Sequence, residues 1–299
     1  MKAKYVNPFT DFGFKKIFGE EASKPMLLDF LNALLPQQSK IKDLSFKNTE
    51  QMGQTEVERK AIYDIYCESE QGEKFIVELQ KAKQNYFKER TIYYSTFPIR
   101  EQAEKGEWNY NLKAVFCIGI LDFTFGDYET EPEKSEVVHT IKLKNQNGET
   151  FYDKLTYIYL EMPNFRKTEE ELATRLDKWL YFIRHLEDFQ SIPHIFEGEV
   201  VFEKAFEKAE LAKFNQSEMD NYESSLKNYR DMKGVIDTAR DEGKMEGKIE
   251  GKIEGKIEGK MEGKIETKME IAKLLKENGA AIEMIIKVTN LSLEEIEQL

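Results

Sequence analysis

A mixed α/β sheet flanked by helices, with a helical and repetitive tail behind it, is the fold class this chain predicts. Three observations carry that prediction. Residues 61–80 alternate in the period-two manner of a β-hairpin. A helical stretch at 85–105 then leads to a second apolar strand, and strand, helix, strand is the order of a parallel crossover, normally right-handed. Beyond Ala239 the composition changes abruptly to Glu-Gly-Lys repeats, which set a tail apart from the domain. At 299 residues there is room for one sizeable core and an appendage. The predicted organisation is a sheet domain at 1–215, a helical connector at 216–241, the repeat at 242–269 as helix or low-complexity spacer, and a small helical tail at 270–299.

The elements follow in order. Residues 7–18 and 25–35 read as helices. Phe14 and Phe18, four apart, share the inward face of the first, and Pro36 ends the second. Leu44 to Phe46 begins a weak strand. In the hairpin, AIYDIYCESEQGEKFIVELQ, a loop of Glu70, Gln71 and Gly72 places glycine third, where a left-handed backbone is favoured. That loop pairs Ser69 with Glu73, Tyr66 with Ile76, Asp64 with Glu78 and Ile62 with Gln80. The last three pairs share one exposed face, while Ala61, Tyr63, Ile65, Cys67, Phe75, Val77 and Leu79 form the core face. In the helix at 85–105, Pro98 predicts a kink or break. Leu112 to Phe123 is continuously apolar enough for a strand buried on both faces. Val137 to Lys144 and Leu155 to Glu161 are strands joined through the turn-forming NQNG. An amphipathic helix runs from Glu169 to about Phe189, with Tyr181, Phe182, His185 and Phe189 available for packing on the sheet or between subunits.

Composition narrows the class. Cys67 and Cys117 both fall in apolar strand patterns, which argues for buried, reduced thiols and a cytoplasmic setting. There is neither an apolar leader nor a membrane-length run, so a membrane partner is not expected. His139, His185 and His194 lack zinc-ligand spacing. A net charge of -12 argues against wrapping a duplex over the whole surface. Locally, however, Lys81, Lys83, Lys88 and Arg90 face only Glu89, a pattern that suits either contacts to a phosphodiester backbone or a solvated helix start.

Two carboxylates opposite each other in a hairpin, with Cβ atoms roughly 4.5–5.5 Å apart, repel unless something neutralises them. A divalent cation would do so, Mg²⁺ in particular, taking its further ligands from water and substrate phosphates. Asp64, a turn, then Glu78-x-Gln80 resembles the PD-(D/E)XK nuclease core, and specifically the bacterial Rpn group of recombination-promoting nucleases, often described as putative transposases. The resemblance spans roughly residues 5–215. It includes Asp11, Phe14, Lys15 and Phe18 in TDFGFKKIFG, then Arg90, Tyr93, Tyr94, Gly106 and Tyr110 after the hairpin. It implies a restriction-endonuclease-like fold and hydrolysis of DNA phosphodiester bonds. Asp64 and Glu78 are implied as ligands of Mg²⁺, with Mn²⁺ as the alternative, and Asp11 as a supporting acid. Gln80 departs from the lysine of the wider superfamily. It can orient water or offer a carbonyl to the metal, but it carries no charge. Lys60, Lys81 and Lys83 are candidates to supply that charge.

The repeats begin at Glu242, Glu246, Glu250, Glu254, Glu258 and Glu262, and Glu266 to Met269 continues the pattern. A period of four drifts about 40° per repeat around a straight helix, so no left-handed heptad coil keeps its Ile and Met stripe buried. Each residue stacks on its own kind at i+4, and each glycine costs roughly 1 kcal/mol against alanine. Such a helix is marginal alone. Facing chains would set Glu columns against Lys columns and approach closely at glycine, which predicts a homo-oligomer through the tail. The alternative to the nuclease reading follows from this: a catalytically weak nuclease fold acting as an oligomeric interaction or regulatory module. In the tail, Asn278-Gly279 is a stop and Ser292 with Glu295 a capping box. Glu294, Glu295 and Glu297 argue against a DNA-reading helix there.

Overall fold

A computed structural model describes residues 3–36, 39–51, 61–103, 106–125 and 136–299. It comprises two units, Met1–Gly234 and Val235–Leu299. The first is built on a six-stranded sheet. In chain order its strands are β1 (Leu44–Phe46), β4 (Ile65–Ser69), β5 (Lys74–Gln80), β6 (Val115–Leu121), β7 (Val138–Lys144) and β8 (Thr150–Glu161). They lie in the order β1-β4-β5-β6-β8-β7. β5, β6 and β8 are parallel, and the remaining pairs are antiparallel. β6 is buried at every residue, because each of its faces carries a hydrophobic layer.

One face packs on α1 (Asp11–Phe18), α2 (Lys24–Leu34), α4 (Arg175–His185) and α5 (Val200–Ala209), through Phe18, Phe30, Trp179, Phe182 and Phe202 against Ile65, Phe75, Val77 and Ile118. The other is covered by α3 (Phe87–Glu101), whose Phe87 and Phe97 join Tyr66, Ile76, Cys117 and Tyr159. α3 connects β5 to β6, the expected parallel crossover. Cys67 and Cys117 are buried free thiols in opposite layers.

Several expectations are corrected. A small ladder of β2 (Glu50–Gln51) and β3 (Ala61–Ile62) lies outside the main sheet, so Ile62 pairs with Glu50 and not with Gln80. The predicted first helix begins only at Asp11, where the Thr10 side chain accepts the Gly13 amide at 3.0 Å. Gly13 is required there, since a Cβ would stand 2.3 Å from the Asn7 carbonyl oxygen. α4 likewise starts late, at the Thr174–Asp177 capping box. Pro98 does not break α3. It withholds the amide that the Tyr94 carbonyl would accept, and the Tyr63 hydroxyl donates to that carbonyl instead, at 3.0 Å.

α6 (Gln216–Glu277) is a continuous helix through the repeat. Its first turns belong to the first unit, where Tyr222, Ser225 and Tyr229 are buried and the Tyr222 hydroxyl accepts the Asn7 amide. In the second unit its final turns pack with α7 (Ile282–Thr289) and α8 (Leu293–Glu297) around Ala272, Ile285, Leu291 and Ile296. Among the described residues no helix is long and apolar enough to cross a membrane.

Candidate active site

The hairpin register is as expected from Glu68–Lys74 to Ile65–Val77, with Gly72 at φ +86°. It stops one residue short of Asp64. In a continued ladder the Leu79 amide would donate to the Tyr63 carbonyl. Instead it donates to Asp64 Oδ2, at 2.8 Å. A side-chain acceptor has replaced a backbone one, and the strand peels away at that point. Ala61 and Tyr63 consequently leave the core face assigned to them and enter the opposite layer, where the Tyr63 and Tyr66 rings lie 5.4 Å apart. Asp64 still approaches Glu78, held by its own hydrogen bond to β5 and not by cross-strand pairing.

The face carrying Glu78 and Gln80 is not the open one expected. α3 covers it, and Gln80 is buried. A cavity of about 20 Å³ remains beside Glu78, bordered by Gln80, Arg90, Tyr94, Gly119 and Tyr159. Glu78, Gly119 and Tyr159 form one row across β5, β6 and β8. A Cβ at Gly119 would stand 2.9 Å from the Tyr159 ring, so glycine admits that ring next to the carboxylate.

Gln80 is fixed from both ends. Arg90 donates to its Oε1, and its Nε2 donates to Glu78 Oε2 at 3.0 Å. Because a guanidinium only donates, the amide must turn its oxygen to Arg90 and its NH₂ to Glu78. Here Gln80 holds Glu78 in place and does not present a carbonyl to a metal. The other oxygen, Glu78 Oε1, is buried with no hydrogen-bond partner among the described residues.

Burial, followed by the Asp64 charge, pushes the Glu78 carboxyl well above the ordinary range, against the pull of Arg90, of the Asp64 backbone amide and of Lys15. Burial also raises Asp64, opposed by its bond to Leu79 and by Lys15, and reinforced by Asp11. The first turn of α1 therefore borders the site. Asp11 reaches it paired to Lys81 at 2.8 Å, and that pair ties α1 to the end of β5. Lys15, exposed one turn further on, acts on both carboxylates. Sequence reasoning quoted Lys15 only as part of a motif, since an exposed lysine in a helix pattern looks like solvent face. Tyr63 and Gly119 were also missed as site-shaping residues.

Of the cations expected to meet a backbone, Lys81 is neutralised by Asp11. Lys83 donates to the Phe125 carbonyl, and Lys88 lies 5.1 Å over the Phe125 ring. Arg90 is engaged by Gln80 and Gln84 and packs over Phe87 and Tyr94. Lys60 lies outside the described residues.

A divalent cation fits this arrangement. Two adjacent carboxyls short of positive charge, one with a buried oxygen lacking a partner, would both gain from a ligated metal. Among the described residues no group of three His, Cys, Asp or Glu side chains is poised to complete a metal cage. The remaining ligands would be water and substrate oxygens, the habit of Mg²⁺.

A sequence profile described as PD-(D/E)XK nuclease family transposase matches residues 8–239. Comparisons with curated proteins and with solved structures gave no match.

Proposed function

The chain belongs to the PD-(D/E)XK nuclease family transposases, with a mixed sheet consistent with the restriction-endonuclease-like fold, and from that premise we propose a Mg²⁺-dependent endonuclease that hydrolyses phosphodiester bonds in DNA. The observation that carries this reading is the buried, unpartnered Glu78 Oε1 next to Asp64. These two carboxylates would hold the ion, with Mn²⁺ as a substitute. When bound, it supplies an activated water and neutralises charge developing on the phosphoryl group.

Each protein group has a distinct part. Asp64 is anchored by the Leu79 amide, so its second oxygen has a fixed direction. Gln80 orients Glu78, and Arg90 orients Gln80, which makes both positioning residues. Lys15, whose charge acts on both carboxylates, would provide the positive charge that Gln80 lacks. Asp11 supports from behind by holding Lys81. Lys83 and Lys88 are the proposed backbone contacts outside the site. Cleavage leaves DNA ends from which recombination can start, the role implied by the Rpn-like motifs, and the buried thiols suit a cytoplasmic setting.

Nicking of supercoiled plasmid tests the proposal. Purified protein with Mg²⁺ should nick, and Asp64→Ala, Glu78→Ala and an EDTA control should not. Equal nicking by all samples, or none with Mg²⁺ or Mn²⁺, would overturn it.

A further inference from the structure

We propose that the repeat segment of α6 is a self-association surface on which a second copy of this chain docks in parallel orientation. Seven tetrads run from Glu242 to Met269, all of them helical. At about 100° per residue, each fourth residue falls in a row that drifts about 40° per tetrad, and four such rows result. Glycine forms one, with open space where each Cβ would stand from Gly243 to Gly263. Roughly opposite lies an apolar row, from Met245 through Ile249, Ile253 and Ile257 to Met269. It is exposed along its length, Ile253 and Ile257 at 55% each.

The flanks of this row identify the occupant. Around Ile253, Glu250 and Glu254 lie about 60° and 100° to one side, and Lys256 and Lys252 lie at the same angles to the other. Two copies packed apolar row to apolar row in parallel are related by a twofold axis along the helices. Every lysine flank then meets the partner's glutamate flank, on both sides of the contact. Turning one copy end over end sets lysine against lysine and glutamate against glutamate. The surface therefore carries its own complement in one orientation only. Across the parallel interface, attraction also offsets the like-charge columns that each helix carries along its own length.

The period, longer than 3.6, winds the row in a right-handed sense. It suits a crossing in which i, i+4 ridges interdigitate at about −50°. With about 40° of drift per tetrad, roughly three consecutive tetrads share one contact face. Such a contact is small and flanked by exposed ion pairs, so the association is weak and sensitive to salt. None of this depends on the nuclease reading.

Sedimentation and pulsed spin-label distances on the full chain test it. In low salt the protein should show a concentration-dependent dimer. That dimer should be lost in high salt and in an Ile249→Glu, Ile253→Glu, Ile257→Glu variant whose circular dichroism confirms the sheet domain intact. For orientation, nitroxide labels are placed at Gly243→Cys or Thr267→Cys, both in the glycine row. Cys67 and Cys117 are buried and do not compete for label. The parallel pair predicts short same-site distances in both proteins, and a longer distance in their mixture owing to an axial offset of about 36 Å. A monomer at every concentration, an unchanged oligomer in the triple variant, or a mixed distance shorter than the same-site ones would overturn the proposal.

Discussion

The proposed metal site turns on one carboxylate. Glu78 has one oxygen held by Gln80 and the other buried without a partner, and Arg90 dictates which way the Gln80 amide faces. If Gln80 and Arg90 are positioning residues, Gln80→Leu and Arg90→Met should each weaken Mn²⁺ binding by roughly 10–100-fold without unfolding the domain. Calorimetric titration beside a melting curve would check this, and unchanged affinity in both variants would remove their role. The same residues predict a pH dependence of the metal-free protein. The folded Glu78 carboxyl is raised from 4.5 to about 8, so the folded state binds more protons than the unfolded state across that window. This contribution is fully present below the lower value, and stability should fall as pH rises through the upper one. Saturating Mg²⁺ should flatten the fall. Urea midpoints at the two ends of the window, with and without metal, measure it, and equal midpoints in the metal-free protein would contradict it.

Among the elements, a hydrogen bond from Tyr63 ties the broken end of the hairpin to α3. Tyr63 donates to the Tyr94 carbonyl that Pro98 leaves free, which pins the segment bearing Asp64 beneath α3. Tyr63→Phe should therefore cost about 1 kcal/mol, because a part-buried carbonyl loses its partner. Pro98→Ala in that background should recover part of the loss by restoring the helix amide. Denaturant midpoints decide, and additive losses would contradict the coupling. On the same layer, Gly119→Ala should destabilise by about 1–3 kcal/mol, since the new methyl meets the Tyr159 ring. Strand period and the continuous apolar run made β5 and β6 legible, and Gly72 set the register as far as Ile65. The break at Asp64 left no trace in the pattern, because exchanging a backbone acceptor for a side-chain one alters no residue type. Pro98 misled for a related reason: its missing amide is compensated by a tyrosine distant in sequence.

For the whole molecule, the core of the first unit extends beyond the predicted boundary at residue 215. Tyr222, Ser225 and Tyr229 are buried in it, and Tyr229 donates to Asp122 at 2.7 Å. A chain ending at Gly234 should fold, whereas one ending at Asn215 should melt earlier or aggregate. Matching melting curves for the two would contradict this. The family resemblance pointed to the two carboxylates proposed as ligands, but not to the charge balance around them, which depends on α1, α3 and β5 meeting in three dimensions. The most direct test of the account is Mn²⁺ binding, followed by electron paramagnetic resonance, to the intact chain and to Glu78→Gln, which keeps the side-chain shape but removes the charge. The account predicts a defined site in the former and a loss of at least about tenfold in affinity in the latter. Equal binding by both proteins would contradict it.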